Sequence, residues 1–148
     1  MYKHILIPTD GSKTAQKAID GGIAFARESG ARVTLFTAVP EYRPPSEGEM
    51  LSHKKVESLD HFEKRSRKEA SALLGRVAGK AKRAGVRCGT DYAFSDNPWR
   101  AIIDAAKRNA CDVIFIGSHG RRGLAALWYG SETKEVLTHS DIPTLVYR

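Results

Sequence analysis

Gly117, Gly120, Gly130 and Ser131 are the residues of this 148-residue chain whose types and spacing could do chemistry, and the pattern they form is G-x2-G-x9-G-S. Glycine lets a backbone approach a ligand closely and adopts positive φ at no steric cost. Gly117 closes an apolar run, Val113 to Ile116, that Asp112 opens, and Gly130-Ser131 begins a helical pattern. A strand, a glycine loop and a helix N-terminus together present N–H groups and a positive dipole end to an anion. The guest that suits them is a phosphate. Gly117 and Gly120 by themselves would serve turn geometry equally well, so it is the full spacing that points to a ligand.

The elements that must position these residues can be read in order. Residues 3–9 (KHILIPT) form a first strand, with Pro8 at its end because proline has no amide to donate. Asp10-Gly11-Ser12 is a turn, and Ser12 caps a helix whose apolar face is Ala15, Ala18, Ile19, Ile23 and Ala26 and whose stop is Gly30. Gly21 and Gly22 lie inside that helix at a cost of about 1 kcal/mol each relative to Ala, which close packing of helix on sheet would explain. Residues 32–39 are a second strand and residues 41–50 a loop. A long helix over 56–84 follows, with Leu59, Phe62, Leu73, Leu74, Val77 and Ala81 toward the sheet and Gly85 at its end. Residues 86–94 are a third strand. Pro98 opens a helix with Trp99, Ile102, Ile103 and Ala106 inward. The run 113–116 is the fourth strand, buried on both faces. A short helix after Ser131, with Val136 and Leu137 apolar, leads to a fifth strand over 143–147. The alternation predicts a single-domain α/β protein, a Rossmann-like open sheet of five parallel strands with helices on both faces. Ligands of such sheets bind beyond the strands' carboxyl ends, where strand order reverses. Residues 9–12, 37–39 and the glycine loop converge there.

The spacing G-x2-G-x9-G-S resembles the nucleotide-binding signature of the universal stress protein family, in its ATP-binding subgroup. MYKHILIPTDGS resembles that family's first strand and loop, and SDIPTLVYR its last strand, so the likeness runs from residue 2 to residue 148 and is weakest over 40–58. The resemblance implies ATP, with Mg2+, as ligand. It implies that Pro8, Thr9 and Asp10 line the adenine and ribose side and that Ala38 and Val39 edge the base. It implies that Gly117, Gly120, Gly130 and Ser131 hold the phosphates. It also implies a homodimer paired through the last strand, where Thr144 to Tyr147 form an apolar edge. Two positions depart from the family pattern. Glu132 replaces a small or β-branched residue; its carboxylate complements a helix N-terminus but competes with a terminal phosphate. Thr37 stands where many members carry a polar or aromatic residue, often His.

Several of these residues have a second reading. Asp10 suits the turn as well as a ligand, and Ser131 suits the N-cap of its helix as well as a phosphate. Arg121 and Arg122 either screen phosphate charge or face solvent. His119 reads as a plain loop histidine, since nothing supplies the partner a general base needs. Leu124 to Trp128 form an apolar patch, either a cover for the site or a contact for a partner subunit.

Composition bounds the function classes. The chain is 41% hydrophobic and 28% charged, with a mean hydropathy of −0.39, and suits one soluble domain. No apolar run spans a bilayer and no secretory signal is visible, so the cytoplasm is expected and membrane association is not. Cys88 and Cys111 lack metal spacing and read as buried thiols. The net charge of +7 tempts one toward nucleic acid, but residues 54–83 hold ten Lys/Arg against four Asp/Glu, on a helix whose polar face can be solvated. No zinc-finger, helix-turn-helix or RNP pattern accompanies that charge, and specific nucleic-acid binding is not expected. Nor is there a G-x-x-x-x-G-K-[ST] loop, a nucleophile elbow or a clustered metal set. An adenine-nucleotide binding protein of regulatory type, no efficient enzyme, is the first expectation. A slow Mg2+-dependent ATPase and a nucleotide-independent dimeric scaffold are the alternatives.

Overall fold

The computed structural model describes residues 1–52, 55–118 and 130–148. Five parallel strands form one sheet in the order β3-β2-β1-β4-β5. They are β1 (His4–Pro8), β2 (Arg32–Val39), β3 (Cys88–Phe94), β4 (Val113–Gly117) and β5 (Thr144–Tyr147). The helices are α1 (Lys13–Ser29), α2 (Glu47–Leu51), α3 (Leu59–Arg83), α4 (Pro98–Arg108) and α5 (Ser131–His139). Strand side chains alternate between two cores. Ile5, Ile7, Val33, Leu35, Val113 and Phe115 pack against α1 and α3, while Leu6, Phe36, Ile114 and Ile116 pack against α4 and Val136 of α5. Both faces of β1 and β4 are therefore covered, which is why their sequences are apolar without alternation.

Three differences from the sequence reading exceed one residue. The loop at 41–50 contains α2, started by a capping box in which Ser46 Oγ accepts from Glu49 N while the Glu49 carboxylate accepts from Ser46 N. The long helix begins at Leu59 because Ser58 caps it through His61 N, and Leu59, expected toward the sheet, is half exposed while Phe62 meets the Phe94 ring of β3. The third strand begins at Cys88, where pairing with Val33 of β2 starts. Gly30 ends α1 in the left-handed region, φ +69°, as a C-terminal glycine should. The expected close packing of Gly21 and Gly22 is real. A Cβ on Gly21 would lie 2.6 Å from the Tyr147 ring, and one on Gly22 would lie 2.6 Å from Ile7 Cδ1.

At the amino ends of the strands the Asp112 carboxylate accepts from Lys3 N and His4 N at 2.8 and 3.0 Å, joining β4 to β1. The buried His4 ring shares a 2.8 Å hydrogen bond with Thr34 Oγ1. Burial, with Arg32 nearby, holds His4 below its ordinary 6.5, against the pull of the backbone at Ala110 and of Asp112. The folded chain therefore favours the neutral ring, whereas the unfolded chain takes up a proton near 6.5. Stability from this group is complete above that pH and is lost as pH falls toward the lowered folded value. The melting temperature should drop as pH falls below about 6.5, and less steeply in a His4→Gln chain. Equal slopes in the two chains would refute the assignment.

Candidate functional site

The sheet order reverses between β1 and β4, and the segments beyond their carboxyl ends face each other across that gap. Pro8, half-buried, ends β1. Thr9 is buried: its N–H donates to Phe36 O at 2.8 Å and its Oγ1 accepts from Gly11 N at 3.2 Å. Asp10 Oδ1 accepts from Ser12 N at 2.9 Å, and Ser12 Oγ accepts from Ala15 N at 3.1 Å. Gly11 makes this turn possible with φ +77°. Asp10 thus performs the turn role read from the sequence, and the same turn fixes its carboxylate at the mouth of the gap. Ala38 and Val39, both half-buried, end β2 next door, paired with Ala93 and Phe94 of β3.

On the other side, Gly117 ends β4 and α5 begins at Ser131. Gly130 occupies the N-cap position, with φ −45° and ψ 148°, so Ser131 is the first helical residue and not the cap. Having no side chain, Gly130 leaves the first turn of α5 without a capping group, and its N–H groups are of the kind that hold anions. Ser131 is exposed beside them. Two bonds fix this turn to the strand: Gly130 N donates to Ser118 O at 2.6 Å, and Thr133 Oγ1 donates to Gly117 O at 2.9 Å. Ser118 N in turn donates to Tyr147 O at 2.9 Å, which ties the site to β5. Sequence reasoning missed Thr133 and Ser118. A polar β-branched residue in a helix's first turn, with a serine directly after the strand's glycine, was the available signal.

Glu132 does not stand loose at the helix start. Its Oε2 accepts from Trp99 N, the second residue of α4, at 2.7 Å. The Trp99 indole also stacks on His139 at the far end of α5, with ring centroids 4.5 Å apart. These contacts join α4 and α5 along one face. Thr37, the other departure from the family pattern, is buried at the end of β2. Gly120 and Arg121, with His119, Arg122 and the apolar patch at 124–128, lie outside the described residues. Beside the end of β2, a cavity of about 510 Å3 opens between Pro40, Tyr42, Val56, Phe62 and Asp96. Among the described residues no group of three or more His, Cys, Asp or Glu side chains is placed to hold a metal ion, and no helix is long and apolar enough to cross a membrane. Cys88 and Cys111 are free, and burial pushes the Cys111 thiol up to about 11.

Comparison with known proteins gives the family and the fold. A family model described as the universal stress protein family matches residues 1–148. Universal stress protein YxiE of Bacillus subtilis is 28% identical, with all of both chains covered. Universal stress protein MJ0577 of Methanocaldococcus jannaschii is 28% identical over all of this chain and 96% of its own. A solved structure of MJ0577 superposes with a TM-score of 0.77, covering 99% of this chain and 95% of that one at 27% identity. The fold is also shared with a universal stress protein in complex with cAMP (TM-score 0.71, 22% identity, 99% and 97% covered). It is shared with one from Archaeoglobus fulgidus holding dAMP (0.66, 17%, 99% and 98%), and with one from Arabidopsis thaliana holding AMP (0.67, 15%, 97% and 90%).

Proposed function

The chain belongs to the universal stress protein family, and from that membership we propose that it binds an adenine nucleotide at the carboxyl ends of β1, β2 and β4. The observation that carries this reading is the pairing of two anchored segments across the point where strand order reverses. The Asp10–Ser12 turn lies on one side, and the uncapped first turn of α5 lies on the other. A carboxylate suits ribose hydroxyls, and helix N–H groups with a serine hydroxyl suit phosphate. Ala38 and Val39 would edge the base, Pro8, Thr9 and Asp10 the base and sugar. Gly117, Gly130 and Ser131 would receive the phosphates together with Gly120 and Arg121. The cAMP, dAMP and AMP held by the three relatives of the same fold support an adenine nucleotide as ligand. ATP with Mg2+ is the further form the sequence resemblance supplies, and the role is that of a nucleotide-responsive regulatory protein of the cytoplasm.

The direct map is an amide-shift titration of the labelled chain with ATP and Mg2+. Shifts should concentrate at Thr9, Asp10, Gly117 and Ser131. Shifts confined to the cavity lined by Tyr42 and Phe62 would place the ligand elsewhere.

A homodimer through β5 completes the proposal. This edge strand is half-buried at Thr144 to Val146 with Tyr147 more exposed, so a second copy can extend the sheet there. Light scattering should give twice the chain mass; a monomer at micromolar concentration would refute it.

A further inference from the structure

The net charge of +7 is not spread evenly over the fold. In the first half of α3 the cations Lys64, Arg65 and Arg67 each reach a carboxylate. Between Glu69 and Asp91 there are five Lys or Arg and no Asp or Glu. Of those five only Lys80 has a carboxylate partner among the described residues, Asp20 of α1. Helices that join parallel strands run back across the sheet, so α1 and α3 end where the strands begin. Arg27 lies in the last turn of α1, and Lys82 and Arg83 in that of α3. The strands add a row to this edge. Arg32 N donates to Lys3 O at 3.0 Å and Val33 N to Arg87 O at 2.8 Å. Arg87, Arg32 and Lys3 therefore stand at neighbouring strand starts, roughly 4.8 Å from one strand to the next. All six residues are exposed. Against them stand Glu28 and Asp112, and the Asp112 carboxylate already accepts from Lys3 N and His4 N. Farther along β3, Asp91 is taken by Arg108.

Helix dipoles account for Arg27, Lys82 and Arg83, which complement negative helix ends. They do not account for Arg32 beside Arg87, since like charges on neighbouring strands cost stability. We propose that this amino edge of β1, β2 and β3 binds the phosphate backbone of a nucleic acid duplex without reading its sequence. It lies at the opposite end of the sheet from the proposed nucleotide site and does not rest on that reading. Four of the six cations are arginines, whose planar guanidinium forks fit phosphate oxygens in pairs. Each strand of a duplex offers a phosphate roughly every 3.4 Å of axis, a repeat of the same order as the row of strand starts. Backbone contacts carry no sequence information, so no base-reading motif is required. Single strands are gripped by stacking on exposed aromatic rings, whereas the ring at this edge, Tyr2, packs against the core under α1 and α3. An anionic membrane is gripped through apolar side chains as well as charge. Apart from Met1, the exposed large apolar residues lie elsewhere, on α2, before and at the start of α3, on α5 and at the end of β5.

The test is fluorescence anisotropy of the full chain with two labelled DNA duplexes of about 20 base pairs and unrelated sequence, from about 50 to about 150 mM salt. Both duplexes should bind alike, with Kd on the order of 10 μM at the lower salt. Affinity should fall ~50-fold across the range, a slope of about −4 in log K against log salt. An R32Q/R83Q/R87Q chain should bind ~30-fold more weakly at low salt, with a slope of about −1. A K64Q/R67Q chain, which loses cations already paired on α3, should bind as wild type does. So should the Gly130→Val chain, whose substitution lies at the other end of the sheet. Absence of binding at about 50 mM salt, a flat salt response or a ~10-fold preference for one sequence would overturn the proposal. So would equal losses in the two multiple variants, or a loss in Gly130→Val. Anionic phospholipid vesicles or poly-L-glutamate bound as tightly as the duplex would show a different partner and overturn it too. If melting curves show the triple variant unfolded, R87Q decides. Arg87 joins the sheet through its carbonyl, a bond that glutamine keeps. That chain should bind ~3-fold more weakly with a slope smaller by about 1, and an unchanged slope would overturn the proposal.

Discussion

A Gly130→Val chain should fold as the wild type does and bind adenine nucleotide ~30-fold more weakly, a loss of about 2 kcal/mol. The backbone at Gly130, φ −45° and ψ 148°, is open to any L-residue. Its two backbone bonds, to Ser118 O at 2.6 Å and from Lys134 N at 3.1 Å, do not depend on the side chain. Neither the backbone conformation nor these bonds bar valine. Binding does. A branched side chain at the N-cap stands beside the N–H groups of the first turn and keeps a phosphate from reaching them. Charge-assisted hydrogen bonds of this kind contribute about 1.5–3 kcal/mol each. Melting curves that coincide within a few degrees, with affinity reduced, are the expected pair of results. Unchanged affinity would remove the α5 start from the site.

The largest stability loss should come from Gly22→Val in α1, at about 3 kcal/mol. A Cβ at Gly22 would lie 2.6 Å from Ile7 Cδ1 and 3.1 Å from Phe115 Cδ1. Ile7 and Phe115 are buried in the centre of the core that α1 and α3 cover, so neither can retreat without displacing others. Valine adds two methyl groups to that contact, and overpacking outweighs the helix propensity gained over glycine. For a chain of this length the melting temperature should fall by roughly 10 °C. Gly21→Ala is a milder case, because its obstacle is the ring of Tyr147, more than one-third exposed on an edge strand. A Gly22→Val chain that melts with the wild type would mean that α1 stands farther from β1 and β4.

These two glycines also show what could be read from the sequence. Their helix was legible from Ala15, Ala18, Ile19 and Ile23, and close packing was the reading offered for the pair; which side chains press on them depends on β1, β4 and β5. The parallel sheet was legible for a similar reason, since strands buried on both faces carry runs such as Ile5 to Ile7 and Val113 to Ile116. The edge strand β3 gave a weaker signal, and its start slipped because pairing with β2 sets that boundary. The short α2 was legible in principle from Ser46 and Glu49, but the prolines before them dominated the pattern. In the site, the turn at Asp10 followed from local chemistry, and the structure places Oδ1 on Ser12 N. Ser131 was one residue from its expected place in the helix, because glycine is a weak cap by residue type. Glu132 could not be understood locally at all. Its partner, Trp99 N, is 33 residues away and exposed to capping only because Pro98 precedes it and Asn97 fails to cap.

The central claim is that the ends of β1 and β4, with the start of α5, form an adenine-nucleotide site. Calorimetric titration of the wild-type chain with ATP and with AMP, both in Mg2+, tests it most directly. Heat that saturates near one nucleotide per chain, and that is lost in the folded Gly130→Val chain, is the predicted result. No heat with either ligand, and no nucleotide released from the purified chain on denaturation, would contradict it. The uncapped helix start would then be a feature of folding alone, and the nucleotide-independent scaffold would take its place.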